Sequence, residues 1–312
     1  MSEQPTLEAA YGKTLCALGE KHKKLVVLDA DCARATGSVA FTETFPMRFY
    51  QMGIAQQDMI GTAAGLSLDG KIAFASSYAA FLTRAWEQIR NTVARASLPV
   101  RIVGTGAGFA SAAEGSTRQC FEDVAIFRAM PQMQVFCPAD GKELDEVLSH
   151  LAEDLSLPAY IRLGRSPKET MTKDVSFTPG KASRLREGSD VTIIANGFMV
   201  QRALEAAEIL AQDKIEARVL NFSSVKPFDE EAIIKAATET KGIVTAEEHS
   251  VIGGLGSLVA EVLCQKAKGP LRMVGVADTF TESGSTEDLD ERYGLTKEAL
   301  VKAAREVLET QS

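Results

Sequence analysis

The chain has 312 residues, 45% of them hydrophobic and 24% charged, with a net charge of -8. That length allows two ordinary domains, and that balance is the composition of a water-compatible globular fold. The acidic surplus argues against nucleic-acid or anionic-membrane binding, and no apolar run approaches the roughly 20 residues of a membrane span.

The N-terminus has neither the basic start nor the apolar core of a secretory leader, so a cytoplasmic protein is expected. Five cysteines are scattered without CxxC spacing and the three histidines lie far apart. Neither a disulfide framework nor a metal site is expected from them.

In chain order, helical periodicity over Thr6 to Glu20 leads into the buried strand of KLVVLDAD, which ends on Asp29 and Asp31. Next, FYQMGIAQQDMIGTAAGLSLDG begins as a strand at Phe49, turns at Gly53 and enters a helix. Two interior glycines, Gly61 and Gly65, each cost that helix about 1 kcal/mol against Ala, which suggests a packing or binding reason. Gln56, Gln57 and Asp58 stand where a helix offers free N–H groups; their spacing fits a polar cap or a cofactor-facing turn.

KIAFASS is the next strand, with a long helix expected from Tyr78 to Arg95. PVRIVGTGAG is a strand running into a small-residue loop through Ser116, followed by a helix over Cys120 to Met130. QVFCPAD, a helix over Lys142 to Leu151, and PAYIRLG complete the first unit. Continuous Val and Ile runs alternating with amphipathic helices predict a parallel sheet covered on both faces.

Rhythm is lost from Arg165 to Gly188, a stretch broken by Pro167, Pro179 and Gly180. The α/β pattern then restarts with DVTIIANG, a helix over Met199 to Ala211, EARVLNF, a helix over Asp229 to Ala237, and GIVTAEE. A Gly-rich turn, IGGLGS, opens a helix to about Ala267; PLRMVGV and a helix over Thr296 to Leu308 close the chain. IGGLGS could cradle a phosphate but lacks the Lys of a Walker sequence, so a tight strand-to-helix turn explains it better. His249 in EEHS sits at a strand end, where a lone histidine is more often structural than catalytic.

Taken together and in order, VVLDAD, MGIAQQDMIGTAAGLSLDGK, FASSYAAFLTRAWEQIRN, EGSTRQCFEDVAIFRAMP, CPAD, YIRLGR, KPFDEEAIIKAA and IVTAEEHSVIGGLGS resemble the C-terminal section, or small subunit, of a two-subunit transketolase. The resemblance runs from about Leu7 to Thr296. Related enzymes with the same domain pair, 1-deoxyxylulose-5-phosphate synthase and the beta subunit of 2-oxo-acid dehydrogenases, match RAWEQIRN, KPFDEEAI and AEEHSVIGGLGS less well.

The resemblance implies a two-domain α/β fold: a pyrimidine-binding domain over 1–170, a linker over 171–188, and a transketolase C-terminal domain over 189–312. It also implies thiamine diphosphate as cofactor. The GDG motif that holds the diphosphate does not occur here, so Mg2+ or Ca2+ and the diphosphate would belong to a separate N-terminal-type subunit, in an α2β2 assembly. Phe81 would stack on the aminopyrimidine, with Tyr78 on the same helical face. Asp31 and Ile54 would also face the cofactor.

Departures from the family pattern are expected to matter for activity. Its GIAEQ motif carries a glutamate where this chain has Gln56; that glutamate protonates the pyrimidine ring nitrogen and so creates an internal base. An amide can only donate or accept a hydrogen bond, and loss of such a proton relay typically costs about 10²–10⁴ in rate. On the substrate side, Glu114 replaces an aspartate and Arg118 a histidine. Arg118 adds a planar cation suited to a carboxylate, sulfonate or phosphate. Leu7, Ala35 and Gly106 replace an arginine, a serine and a histidine of the phosphate grip, while Arg165 remains. Three readings follow: ketol transfer with a non-standard substrate, a catalytically silent cofactor-binding subunit, or an enzyme whose Gln56 was introduced to trap a complex.

Overall fold

The computed structural model describes residues 5–309. Its first six strands are β1 (Leu25–Asp29), β2 (Phe49–Gln51), β3 (Ile72–Tyr78), β4 (Arg101–Thr105), β5 (Gln134–Phe136) and β6 (Ala159–Arg162). The later six are β7 (Ser183–Arg186), β8 (Val191–Ala195), β9 (Ala217–Asn221), β10 (Ser224–Lys226), β11 (Ile243–Ser250) and β12 (Leu271–Val276). They form a seven-stranded sheet in the order β10-β5-β6-β4-β3-β1-β2 and a five-stranded sheet in the order β12-β11-β8-β9-β7. Each sheet is parallel except for one edge strand, β10 in the first and β7 in the second.

Strand β1 is buried throughout, and its alternation divides the core. Leu25 and Val27 point to the side covered by the helices Leu7–Lys21 and Gly141–Glu153, with Leu15, Leu144 and Leu148. Val26 and Leu28 point to the side covered by helix Gln56–Leu68, with Met59, Ile60 and Ala63. Burying each large side chain contributes about 1.5–3 kcal/mol. The second cluster continues through Phe127, Val225 and Phe222 to helix Leu255–Lys266, so one hydrophobic core crosses between the two sheets.

Local details differ from the sequence pattern. The expected long helix over Tyr78–Arg95 is four short pieces, Ala79–Leu82, Thr83–Ala85, Trp86–Gln88 and Ile89–Ala94, the second of them 3-10 and the last of them π-type. Thr83 donates its hydroxyl back to the Ala80 carbonyl at 2.7 Å, competing with the regular ladder at the first break. The helix expected from Cys120 starts only at Asp123. Gly108 N–H takes the Cys120 carbonyl and Ser250 N–H takes that of Phe121, so neither residue can open a helix. Helix Thr286–Tyr293, which periodicity missed, is capped by Ser285 and ended by Gly294.

Part of the stretch expected as linker is the edge strand β7. Strand β10, well beyond it, returns to join the first sheet because Cys137 N–H and the β5 edge offer it partners. Gly61 and Gly65 have open space where a side chain would stand, so none of the described residues packs closely on them.

Candidate active site

A cleft of ≈ 830 Å3 opens at the C-terminal ends of β1 and β3, where ligands of parallel sheets are held. Its lining includes Asp31, Ile54, Gln56, Tyr78, Phe81 and Arg118, all six expected near a cofactor or substrate.

The floor is shaped by two turns pinned to one side chain. Gln51 Oε1, on β2, accepts N–H groups from Asp31 at 2.8 Å and Gly53 at 3.2 Å. Asp31 has a positive φ of 62°, a strained conformation for a residue with a side chain. Beneath it, the carboxylate of fully buried Asp29 accepts from Cys32 N–H, Thr36 and Ser38, fixing the loop after β1. Burial pushes the Asp29 carboxyl up from its ordinary range, against those hydrogen bonds.

Gln56 is the first residue of its helix and is 1% exposed. Its Nε2 reaches Ser77 Oγ only at 3.4 Å, and its Oε1 has no hydrogen-bond partner. A buried unsatisfied amide oxygen costs about 1–3 kcal/mol, so this group is poised for a polar partner in the cleft.

Tyr78 ends β3 and Phe81 lies in the following turn, their rings edge-on with centroids 5.5 Å apart. Gly106 is not part of the cleft wall: it supports Tyr78 from behind. Its φ is +63°, and a Cβ there would come 2.6 Å from the Tyr78 ring, so a histidine is incompatible with Tyr78 in this place. The Tyr78 hydroxyl is shifted up by burial and by Glu114.

Arg118 lies over both rings, 5.0 Å from Tyr78 and 4.9 Å from Phe81, and pairs with Glu114 at 2.9 Å. Glu114 is held at the cleft's edge by that pair. Gln119 anchors the loop, donating to Ala112 and Glu282 carbonyls and accepting from Thr281, a residue of the second domain.

Arg165 stands elsewhere. Its guanidinium forks onto Asp290 at 2.8 and 2.9 Å, pairs with Glu248 at 2.5 Å and stacks 3.9 Å from Phe198. It is buried between the domains with its guanidinium paired to Asp290 and Glu248, away from the cleft, so it does not reach a substrate phosphate there in this arrangement. Leu7 is buried in the core, and Ala35 lines the cleft.

Sequence reasoning missed Arg34, Arg84, Cys32 and Thr42, all in the lining. Arg84 follows Phe81 by three residues, a spacing that could have placed it on the same side. Burial raises the Cys32 thiol, with Asp29 adding to the effect. Among the described residues, no group of three His, Cys, Asp or Glu side chains is placed to hold a metal ion.

Comparisons with known proteins agree with this two-domain fold. Residues 3–168 match the model of the transketolase pyrimidine binding domain and residues 180–300 that of the transketolase C-terminal domain. The chain is 44% identical to the 6-deoxy-6-sulfo-D-fructose transketolase subunit SqwH of Clostridium sp. (strain MSTE9), over 99% of this chain and 97% of that one. It is 38% identical to an apulose-4-phosphate transketolase subunit of Phocaeicola vulgatus, over 95% and 96%. Among solved structures, a split gene transketolase described as an inactive beta4 tetramer has a TM-score of 0.89 at 45% identity, covering 98% of this chain and 99% of that one. Transketolase from Leishmania mexicana shares the fold, with a TM-score of 0.85 at 21% identity, this chain covering 46% of it.

Proposed function

The chain belongs to the transketolase family, and from that premise we propose that it is one subunit of a cytoplasmic, thiamine-diphosphate-dependent enzyme that moves a two-carbon ketol unit between non-standard sugars. Its site is completed by a separate subunit that carries the diphosphate and Mg2+ or Ca2+, in an α2β2 assembly. The observation that carries this reading is the cleft at the strands' C-terminal ends, with the buried Gln56 amide beside the Tyr78 and Phe81 rings. An amide edge next to an aromatic wall fits the pyrimidine half of the cofactor.

When bound, the cofactor supplies the nucleophilic carbon that carries the ketol unit. This chain's residues orient it. Gln56 would hold the pyrimidine ring with its amide, and Phe81 and Tyr78 would provide the apolar wall. Rotating the amide would let Oε1 accept from Ser77 and turn Nε2, a donor, toward the ring. In neither orientation does Gln56 deliver a proton. The partner's docking face is suggested by open Gly61 and Gly65 and by Ile54 and Leu68, each 75% exposed.

Non-standard substrates are favoured by Arg118 in the cleft and by the engagement of Arg165 elsewhere. The two relatives above are named for a sulfonated and a phosphorylated sugar. A second reading, a silent cofactor-binding subunit, is favoured by Gln56 alone, whether that amide is native or was placed to trap a complex.

The test is to mix this chain with its partner subunit, thiamine diphosphate and Mg2+, and follow consumption of ketol donors. Turnover with Gln56 in place establishes the first reading. If no donor reacts and Gln56→Glu gains about 10²–10⁴ in rate, the silent reading replaces it.

A further inference from the structure

Three guanidinium groups, Arg34, Arg84 and Arg118, face one cleft whose lining holds a single carboxylate, Asp31. The protein as a whole is acidic, at -8, so this local surplus runs against the overall charge. Arg118 has a carboxylate partner in Glu114. Among the described residues, no carboxylate lies within ion-pair distance of Arg34 or Arg84. Arg84 lies over the Phe81 face, 5.6 Å from its centroid.

These cations come from separate elements. Arg34 is on the turn after β1, in the short helix Ala33–Thr36 fixed by Asp29 through Thr36 and Ser38. Arg84 is on the broken helix after β3, and Arg118 is on the loop after β4. A loop organised by a buried carboxylate thus carries an unpaired arginine at the rim of the cleft. Like charges gathered in one concavity repel, which a multiply charged oxyanion relieves. Planar guanidinium groups also match the oxygen edges of a tetrahedral anion.

We propose that Arg34 and Arg84, helped by Arg118, form an oxyanion subsite for the terminal sulfonate or phosphate of the ketose. This rests on the reading of the cleft as a ketol-transfer site. It moves the grip on the substrate's charged end to the rim of the cleft, since Arg165 is locked between the domains. The cofactor's own diphosphate is the competing source of such an anion, and the test separates the two.

The experiment is calorimetric titration of the full chain with 6-deoxy-6-sulfo-D-fructose, fructose 6-phosphate, neutral fructose and thiamine diphosphate, repeated for Arg34→Gln and Arg84→Gln. Either variant should weaken the two anionic ketoses about 10-fold or more and leave neutral fructose and thiamine diphosphate unchanged. The affinity of the unaltered chain for the anionic ketoses should fall with salt more steeply than that of either variant. Failure of the unaltered chain to bind either anionic ketose at millimolar concentrations overturns the proposal. So does unchanged ketose affinity in both variants, and so does a loss confined to thiamine diphosphate. Because binding is read without turnover, an inactive complex with intact ketose binding would reject ketol transfer and leave the subsite standing.

Discussion

Two arginine-rich regions of this molecule differ in how their charges are answered. In the seam between the domains, Arg162 donates to Asp123 at 2.9 Å, to the Glu248 carbonyl and to that of Cys120, and Tyr160 donates to the same Asp123 at 2.6 Å. Arg165 is shared by Glu248 and Asp290, and Arg202 also reaches Asp290. In the cleft, among the described residues, Arg34 and Arg84 have no carboxylate partner and Gln56 Oε1 has no hydrogen-bond partner. The residue types are similar. What differs is that each seam guanidinium is desolvated against a carboxylate of the chain, although Glu248 Oε2 there lacks a hydrogen bond, whereas Arg34 and Arg84 in the cleft have no such counter-charge among the described residues.

The seam should break first and hardest. Asp123→Ala leaves Arg162 buried without its carboxylate and Tyr160 without its acceptor, and should cost about 3–5 kcal/mol of stability, read as a lower urea midpoint. A loss under about 1 kcal/mol would mean that the pair is dispensable.

Arg165→Gln and Arg118→His sharpen the comparison as a pair. Arg165→Gln should destabilise by about 3 kcal/mol while leaving the affinity for an anionic ketose unchanged in the folded protein. Arg118→His should do the reverse, weakening the anionic ketose about 10-fold, roughly 1.4 kcal/mol, with little change in stability or cofactor affinity. Equal loss of substrate and cofactor in Arg118→His would make that residue structural.

The smallest effect concerns pH and lies wholly in the seam. Burial pushes the Glu247 carboxyl from 4.5 up to about 7, although the N–H groups of Leu255 and Gly256 hold its oxygens. Burial also pushes His249 from 6.5 down to about 4, its neutral Nε2 accepting from Ala125 N–H. For Glu247 the folded chain binds more protons between about 4.5 and 7, so its contribution falls as pH rises. For His249 the unfolded chain binds more between about 4 and 6.5, so its contribution grows as pH rises. These two contributions should offset each other between about 4.5 and 6.5. His249→Gln should uncover stability that declines with rising pH, measured as the urea midpoint across that window.

Much of this was legible beforehand. Buried Val and Ile runs marked most of the strands, and GIAQQ with SSYAAF marked the cleft floor and wall. Those features are local, since a strand's burial and a turn's glycine are written into neighbouring residues. The edge strands β7 and β10, the late start of the helix at Asp123 and the breaks after Leu82 depended on hydrogen bonds to distant segments. Arg165 is the plainest case. Its motif suggested a substrate grip, yet Asp290 and Glu248, remote in sequence, claim it.

By itself, then, the sequence determined two α/β units, the amide at Gln56, and the aromatic pair Tyr78 and Phe81. Only the tertiary structure decided which arginines are free for a ligand and which are consumed in the seam. An arginine's role depends on what surrounds its guanidinium, and those surroundings come from chain segments that spacing along the sequence does not relate.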